Sequence, residues 1–265
     1  MPELPEVEAV RRDLEPVMQG ARFERVLLRR SNLRIPFPRN FAGRLQGHSM
    51  RALTRRGKYL LAELSSGETL IIHLGMSGSF DVDRGGREPQ RHDHVVFQMS
   101  SGATVTFNDP RRFGLMDIAA RGQLERYPAL SAMGPEPLSA EFDAATLARA
   151  CRGKKVALKL ALLDQRVVAG IGNLWKAESL WRAQVSPWRK LGDVSDEELE
   201  LVLAEAARLM RRSVENRREE RLVYRRAGRP CPRCGEAILS RGQGDDNRTA
   251  YWCPHCQRGE EPPGA

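Results

Sequence analysis

The sequence predicts an α+β fold of several domains: an N-terminal helix, an antiparallel β region, a helical region and a small cysteine module. Before residue 20 the apolar residues recur at helical spacing, and from about 23 to 118 short β-branched runs alternate with Gly, Ser and Asn. After 133–137 the composition shifts to Ala, Leu, Arg and Glu at helical spacing. The 265 residues, 41% of them hydrophobic, are enough for one large domain or two ordinary ones.

The first element is an amphipathic helix that we expect to end near Gly20. Its apolar residues fall three to four positions apart on one face: Leu4, Val7, Val10, Leu14 and Val17. Pro2 and Pro5 have no backbone N–H to donate, so they belong at or before the first turn, where those donors are free anyway. The N-terminus is therefore expected to be fixed against a helix start.

The β region contains short apolar runs joined by hairpin turns. The clearest runs are 59–64, 69–74, 94–99 and 104–107. Turn residues at 65–67 and 100–102, Ser-Ser-Gly in both places, separate neighbouring runs. This pattern predicts an antiparallel sandwich or barrel.

The Met-Gly-Pro-Glu-Pro stretch at 133–137 predicts a domain boundary, and helices are expected beyond it at 140–151, 155–163, 173–183 and 195–215. A Gly-rich turn at 169–173 opens the third of them. Such a turn can present backbone amides to a phosphate, with Lys154 and Lys155 favouring that interpretation, although most short Gly turns bind nothing. Cys151 is interpreted as an ordinary buried thiol.

The chain is basic, with 43 Lys and Arg against 34 Asp and Glu and a formal charge of +9. A folded protein of this charge usually meets a polyanion, and nucleic acid is the first candidate. The sequence has no apolar run approaching about 18 residues and no secretory signal, so we expect a cytoplasmic protein of bacterial type. Binding to DNA would associate it with the nucleoid. The charge alone also permits an RNA- or ribosome-associated protein.

Two C-x-x-C pairs predict a structural zinc site. Cys231 and Cys234 are followed after eighteen residues by Cys253 and Cys256, a spacing typical of a four-thiolate zinc hairpin. A closed shell of four sulfurs stabilises the fold and leaves no position for catalysis. His255 is interpreted as a bystander. The loop between the pairs carries four residues that suit a nucleic-acid groove or, equally, a solvated basic loop: Arg241, Arg248, Tyr251 and Trp252.

Two further segments carry weaker signals. Arg111, Arg112 and Phe113 follow an Asp-Pro turn at the end of an apolar strand, where they could contact and wedge a base pair or form an ordinary charged edge turn. Met76 lies between Gly and Ser residues that indicate a loop, although methionine more often fills a core.

The N-terminus itself is a candidate nucleophile. Removal of Met1 would leave Pro2 with a free secondary amine, and an α-amino pKa of about 7.7 to 8.0 leaves part of it neutral at cellular pH. Such an amine condenses with an aldehyde to form an iminium. Glu3 and Glu6 could act as acid and base, or could be present only because acidic residues favour a helix start.

Five motifs and the four-cysteine finger, taken in chain order from residue 1 to about 257, closely resemble the formamidopyrimidine-DNA glycosylase and endonuclease VIII family of base-excision repair enzymes. The motifs are MPELPEVE at 1–8, RRGKYLL at 55–61, HLGMSGS at 73–79, DPRRFG at 109–114 and LLDQRVVAGIGN at 162–173. The resemblance implies the following organisation: a catalytic β-sandwich domain at 1–133, a helix-two-turn-helix DNA-binding domain at 134–225, a zinc finger at 226–258 and a tail at 259–265.

The resemblance also implies a bifunctional glycosylase and lyase that acts by β,δ-elimination. Pro2 would be the nucleophile, Glu3 the acid and Lys58 a phosphate-holding residue near the sugar. Met76, Arg111 and Phe113 match the trio that fills the void left by a flipped base. The remaining implied DNA contacts are Asn173, Arg248 and Lys159. The implied partners are one structural zinc ion and damaged duplex DNA, bound by a monomer, with no redox cofactor or catalytic metal.

The substrate branch depends on the interval 216–230. Members that act on oxidised purines carry a glycine-rich loop there that covers flipped 8-oxoguanine, whereas this interval is short and rich in Arg and Glu. The Leu-Asp-Gln stretch at 163–165 leans towards endonuclease VIII, which favours oxidised pyrimidines. Met76, Arg111 and Phe113 lean towards the formamidopyrimidine branch, so we expect formamidopyrimidines as substrates ahead of 8-oxoguanine.

Overall fold

The computed structural model describes residues 2–151, 153, 155–217, 221–242, 248–257 and 259. The chain divides into two compact units, residues 1–132 and 133–265. The division falls beside the Met-Gly-Pro-Glu-Pro stretch. Both the helical segment and the cysteine hairpin lie in the second unit.

The first unit begins with helix α1 (Leu4–Met18), as the apolar spacing predicts. Glu3 is its N-cap, and a capping box joins Glu3 and Glu6 reciprocally at the first turn. Pro5 lies in that turn, where its missing N–H costs nothing. Gly20 follows the helix in a left-handed conformation, with φ of +81°, and donates its N–H to the carbonyl of Met50 at 2.7 Å.

Eight strands form two four-stranded antiparallel sheets. They are β1 (Phe23–Leu28), β2 (Met50–Arg56), β3 (Tyr59–Leu64), β4 (Thr69–His73), β5 (Ser79–Asp83), β6 (Asp93–Met99), β7 (Thr104–Asn108) and β8 (Leu115–Ala119). One sheet has the order β1-β6-β7-β5 and the other β2-β3-β4-β8. The predicted antiparallel sandwich is confirmed.

The main core of this unit draws on both sheets and on α1. Phe97 of one sheet and Leu60 of the other belong to the same buried cluster, together with Leu14 of the helix. The opposite side of the second sheet is covered by a short segment after β8, where Tyr127 packs near Leu61 and Ile71. That segment includes helix α3 (Pro128–Ser131).

Two short helices of the first unit were not predicted: α3, which has four residues, and a helix between β1 and β2. Helix α2 (Phe41–Leu45) has only five residues, with Phe41 and Leu45 buried. Five residues span less than two helical turns, so no apolar period can be read from them.

The second unit is helical up to the cysteine hairpin. Its helices are α4 (Ala144–Cys151), α5 (Leu158–Ala161), α6 (Asn173–Arg182) and α7 (Asp196–Asn216), and its hairpin strands are β9 (Leu239–Arg241) and β10 (Ala250–Trp252). A capping box at Ser195 and Glu198 begins α7. The thiol of Cys151 is buried, as expected. In the described part of the chain, every helix is too short or too polar to cross a membrane.

Two predicted helices are shorter than their apolar patterns. Asp143 accepts the N–H of Ala145 at 3.0 Å, so α4 begins only after this residue. Ala157 bridges to Lys190, and Leu158 donates its N–H to Arg189 at 2.9 Å, which holds the residues before α5 in an extended pairing. A local contact of Asp143 therefore sets the start of α4, whereas partners distant in the sequence set the start of α5.

Candidate functional site

Pro2 directly precedes a rigid helix start. The N–H of Glu3 donates to Glu6 Oε2 at 2.7 Å, and the buried side chain of Glu3 accepts the N–H of Glu6. Pro2 itself is half-buried. Glu3 and Glu6 therefore cap the helix, and the cap also fixes the Glu3 carboxylate beside residue 2.

Lys58 lies in the turn between β2 and β3 and is buried. Arg55 braces this turn, because its Nη1 donates to the carbonyl of Gly57 at 3.0 Å and its Nε contacts Glu8 Oε2 at 3.2 Å. Glu8 lies on α1, about one turn after the helix start at Leu4. The partly buried Glu8–Arg55 pair therefore ties the helix that follows Pro2 to the turn that carries Lys58.

His73, at the end of β4, belongs to the same region, and the sequence analysis did not single it out. Its ring lies 4.8 Å from the ring of Tyr59, its cross-strand neighbour, and its Nδ1 accepts the N–H of Gly75 at 2.9 Å. Burial, followed by the charges of Lys58 and Arg34, lowers the pKa of His73 to about 4. The neutral ring therefore carries its proton on Nε2. The available sequence signal was a histidine at the end of an apolar strand, two residues before Gly75.

The depressed pKa of His73 predicts a loss of stability in mild acid. The unfolded chain takes up the proton near 6.5 and the folded chain only near 4, so stability is full above about pH 6.5 and falls as the pH drops towards 4. Between pH 7 and pH 4.5 we expect a loss of roughly 2 to 3 kcal/mol from this group. His73→Asn keeps an acceptor for Gly75 and should remove that part of the slope in urea unfolding. An unchanged slope in the variant would rule out His73 as its source.

Met76, Arg111 and Phe113 lie on two neighbouring turns of the first unit. Met76 is 40% exposed and Phe113 is 44% exposed, so neither fills the core. The guanidinium of Arg111 stands 4.8 Å from the centre of the Phe113 ring. Arg112, between them, has φ of +56°. The turn thus presents an aromatic ring and a cation together at the surface.

In the second unit, Asn173 begins α6 after the Gly-rich turn. Its Nδ2 donates to the carbonyl of Thr249 at 2.9 Å, so Asn173 lies beside the chain neighbour of Arg248. Its Oδ1 accepts from Lys176 Nζ at 2.6 Å, and Lys176 is only 1% exposed. The structure thus brings the Asn173 amide and the backbone next to Arg248 together. The sequence analysis did not single out Lys176, because a lysine within a predicted helix is usually an exposed surface residue.

Lys159 is buried on α5, with its Nζ 4.5 Å from the centre of the Trp188 ring. This cation–π contact places the ammonium inside the second unit rather than on an open surface. Of the two lysines that favoured phosphate binding at the Gly-rich turn, Lys155 is exposed and Lys154 lies outside the described residues.

The sulfurs of the four paired cysteines form one cluster, all within 4.8 Å of one another. Cys231 and Cys256 sulfurs are 3.9 Å apart, and Cys234 and Cys253 sulfurs are 3.5 Å apart. A tetrahedral zinc ion with Zn–S bonds of about 2.3 Å requires sulfur separations of about 3.8 Å, so this donor set fits zinc. His255 is not part of the cluster.

Trp181 of α6 and the backbone support this cluster. Trp181 Nε1 donates to Cys231 Sγ at 3.3 Å, and the N–H of Cys256 donates to Cys253 Sγ at 3.4 Å. Donors of this kind orient the sulfurs and favour their thiolate form.

A buried carboxylate that the sequence analysis missed anchors the segment leading to the cysteines. Glu178 Oε1 accepts three backbone N–H bonds, from Leu222 at 3.0 Å, Val223 at 3.0 Å and Tyr224 at 2.9 Å. Burial raises the pKa of Glu178, while these bonds act in the opposite direction. The chain after α7 is therefore held against α6.

Two family models cover most of the chain. Residues 1–116 match the formamidopyrimidine-DNA glycosylase N-terminal domain, and residues 133–222 match the formamidopyrimidine-DNA glycosylase H2TH domain. Formamidopyrimidine-DNA glycosylases of Bradyrhizobium sp. strain BTAi1 and Rhodopseudomonas palustris strain TIE-1 are 48% and 45% identical to it, each over 97% of this chain and 100% of the relative.

Solved structures of the same kind share the fold. MutM in complex with DNA containing carbocyclic 8-oxo-G has a TM-score of 0.89 and 27% identity over 97% of this chain and 100% of that chain. MutM (Fpg) from Thermus thermophilus has a TM-score of 0.85 and 34% identity over 98% of this chain and 100% of that chain. With this sandwich, helical segment and cysteine cluster, the chain belongs to the formamidopyrimidine-DNA glycosylase family.

Proposed function

We propose that this chain removes oxidised bases from duplex DNA through the amine of Pro2 and then cleaves the strand at the same site. Membership of the family makes it a DNA glycosylase and lyase of base-excision repair. The observation that carries the assignment of the nucleophile is the rigid helix start, which sets Pro2 next to the buried Glu3 carboxylate. The Glu8–Arg55 pair links that helix to the Lys58 turn.

The chemistry follows from the amine. The neutral nitrogen of Pro2 attacks C1′ of the damaged nucleotide, the bond from C1′ to the base breaks, and Glu3 supplies the proton that the departing base needs. The Pro2 nitrogen then loses its proton, and the C1′–O4′ bond of the sugar breaks with O4′ taking up a proton, which leaves an iminium between Pro2 and C1′. This iminium draws electrons from C2′, so a C2′ proton leaves and the 3′ phosphate is eliminated. A second elimination releases the 5′ phosphate. Lys58, as a buried cation, holds a phosphate near the sugar.

The remaining named residues bind the DNA in this proposal. Met76, Arg111 and Phe113 fill the gap left by the flipped nucleotide, since two of them are exposed apolar side chains beside an exposed guanidinium. Asn173 and Arg248 grip phosphates at the start of α6 and on the hairpin, and Lys159 lies near the lesion pocket. The formal charge of +9 favours such contacts.

The cysteine cluster holds one structural zinc ion in this proposal, with Cys231, Cys234, Cys253 and Cys256 as its ligands. Four thiolates close the coordination shell, so the ion supplies stability to the hairpin. We place the protein in the cytoplasm, as a monomer on damaged duplex DNA.

Borohydride trapping tests the proposed function directly. Only an iminium can be reduced to a stable covalent adduct, so wild-type protein should become cross-linked to a duplex with a formamidopyrimidine or an abasic site. Undamaged duplex of the same sequence is the control. Binding without any adduct would instead indicate a non-catalytic DNA-binding protein, and preference for structured RNA over duplex DNA would indicate an RNA-associated one.

The described part of the interval 216–230 supports the proposal that the lesion-covering loop is missing. Glu178 holds 222–224, and Gly228 and Arg229 pair with Ile238 through bonds of 2.8 and 2.9 Å. These residues are thus committed to the hairpin and to α6. The Bradyrhizobium relative aligns over 293 residues, whereas this chain has 265, so segments of that relative have no counterpart here.

Without a covering loop, discrimination should depend on the cost of extruding the base. We expect formamidopyrimidines and ring-saturated pyrimidines to be excised at least about tenfold faster than 8-oxoguanine opposite cytosine, because 8-oxoguanine still pairs well. Single-turnover excision of each lesion at fixed salt measures this. Faster excision of 8-oxoguanine would show that another segment covers the base, and a preference for pyrimidines alone would favour the endonuclease VIII-like alternative.

A further inference from the structure

We propose that Asp109 is a positioning residue, whose carboxylate fixes the relative positions of Met76, Arg111 and Phe113. Discrimination between bases opposite the lesion would then depend on this carboxylate. The proposal rests on the proposed function, in which these three side chains occupy the void beside the orphaned base.

The Asp109 carboxylate joins the two turns that carry the trio. It is 0% exposed; its Oδ1 accepts the hydroxyl of Ser77 at 2.5 Å and its Oδ2 accepts the N–H of Gly114 at 2.7 Å. Ser77 Oγ in turn accepts the N–H of Arg111 at 3.1 Å. Ser77 adjoins Met76 and Gly114 adjoins Phe113, so one carboxylate fixes the backbone next to all three side chains.

Asp109 is itself held by the first sheet. Its N–H donates to the carbonyl of His92 at 3.0 Å, and its carbonyl accepts His94 Nε2 at 2.9 Å. A carbonyl can only accept, so Nε2 of the buried His94 ring carries the proton in this bond. Asp109 directly follows β7. The paired strands β6 and β7 therefore fix its position, and through it the position of the two turns.

The two turns also meet backbone to backbone. Gly75 has φ of +65°, and a Cβ there would lie 2.3 Å from the carbonyl carbon of Phe113. A Cβ on Gly114 would lie 2.8 Å from the ring of Phe107. No side chain fits between the turns, so their relative position is set by direct contact and by the carboxylate that spans it.

The arrangement requires an acceptor oxygen at both positions of the Asp109 side chain. Both of its oxygens accept, and both partners are donors. An amide in its place can keep the Gly114 bond but turns an NH₂ group towards Ser77, which loses its acceptor. The turns would then move relative to each other. The N-terminal nucleophile and the Lys58 turn should stay in place, because the hydrogen bonds of Asp109 run to Ser77, Gly114, His92 and His94.

The test compares Asp109→Asn and Ser77→Ala with wild type and with Arg111→Ala. Single-turnover excision of one lesion opposite each of the four bases is measured beside cleavage of a preformed abasic site. We expect both variants to slow excision opposite the preferred base by about tenfold and to flatten the opposite-base ratios, as Arg111→Ala does, with abasic cleavage within about twofold of wild type.

Asp83→Asn is the matched control. The Asp83 carboxylate also accepts two backbone N–H bonds, from Gly85 and Arg87 at 2.7 Å each, but it lies at the far end of β5 from the Met76 turn. It should leave the ratios unchanged. Urea unfolding checks that each variant folds. If Asp109→Asn does not fold, Ser77→Ala alone tests the proposal.

Folded variants with wild-type ratios would overturn the proposal, and so would an equal loss of excision and abasic cleavage, which indicates general disruption. Failure of the proposed function looks different, because wild-type protein would then give no borohydride adduct at all.

Discussion

Protein whose Pro2 amine is blocked is expected to lose base release and borohydride trapping, on the order of a thousandfold or more, while keeping most of its affinity for DNA. The amine makes the bond to C1′ on which both base release and trapping depend. Affinity, by contrast, is spread over many phosphate contacts. The matched pair is one tagged protein before and after a cleavage that leaves Pro2 as the first residue.

Two substitutions sharpen this prediction. Pro2→Gly replaces the rigid secondary amine by a freer primary one and should also cripple base release. Glu3→Gln should block base removal but still allow an abasic site to be nicked, since no departing base then needs a proton. Gln can still accept the N–H of Glu6, so the helix start survives. Full activity from the blocked protein would refute Pro2 as the nucleophile.

Four of the eight sandwich strands, β3, β4, β6 and β7, could be predicted because their patterns are local. The predicted run 59–64 is strand β3 to the residue, and its Ser-Ser-Gly turn leads into β4 as expected. Helix α5 could not be predicted at its true length, since bonds from Arg189 and Lys190 hold the residues before it. Local spacing carries no information about such partners.

The candidate site divides in the same way. Pro2, Met76 and the cysteines lie in compact motifs whose residue types carry the chemistry. The supporting contacts join residues far apart in the chain: Glu8 to Arg55, Glu178 to the segment after α7, and Asp109 to Ser77. A single sequence shows a glutamate or an aspartate at these positions, but it does not show which distant residue that side chain contacts.

Replacing one cysteine ligand is expected to weaken zinc binding and DNA binding together. In Cys234→Ser the cluster keeps three sulfurs, and zinc content should fall from one per chain towards zero. The strands β9 and β10 have three residues each, too few for a stable hairpin in water. The small cluster that includes Val223, Ile238 and Trp181 contains Cys231 and Cys253 and packs against Cys256, so it depends on the cysteines as well.

The hairpin also carries Arg248, one of the two residues of the second unit proposed to bind phosphates. Thr249, beside Arg248, accepts the Asn173 amide, so release of the hairpin should disturb both phosphate contacts. We therefore expect DNA affinity to fall at least about tenfold and the salt dependence to decrease by about one phosphate contact per lost residue. Elemental analysis and binding across a salt series measure the two effects.

Cys151→Ser is the matched control, because this buried thiol lies outside the cluster on α4. It should retain zinc and the wild-type salt dependence, even if the buried hydroxyl lowers the free energy of unfolding. Arg248→Ala should reproduce the affinity loss of Cys234→Ser only in part, since it leaves the Asn173–Thr249 bond intact. Metal-free protein that cleaves lesion-containing DNA at the wild-type rate would show that the hairpin is not needed for the grip, and Asn173 would then have to bind phosphate without it.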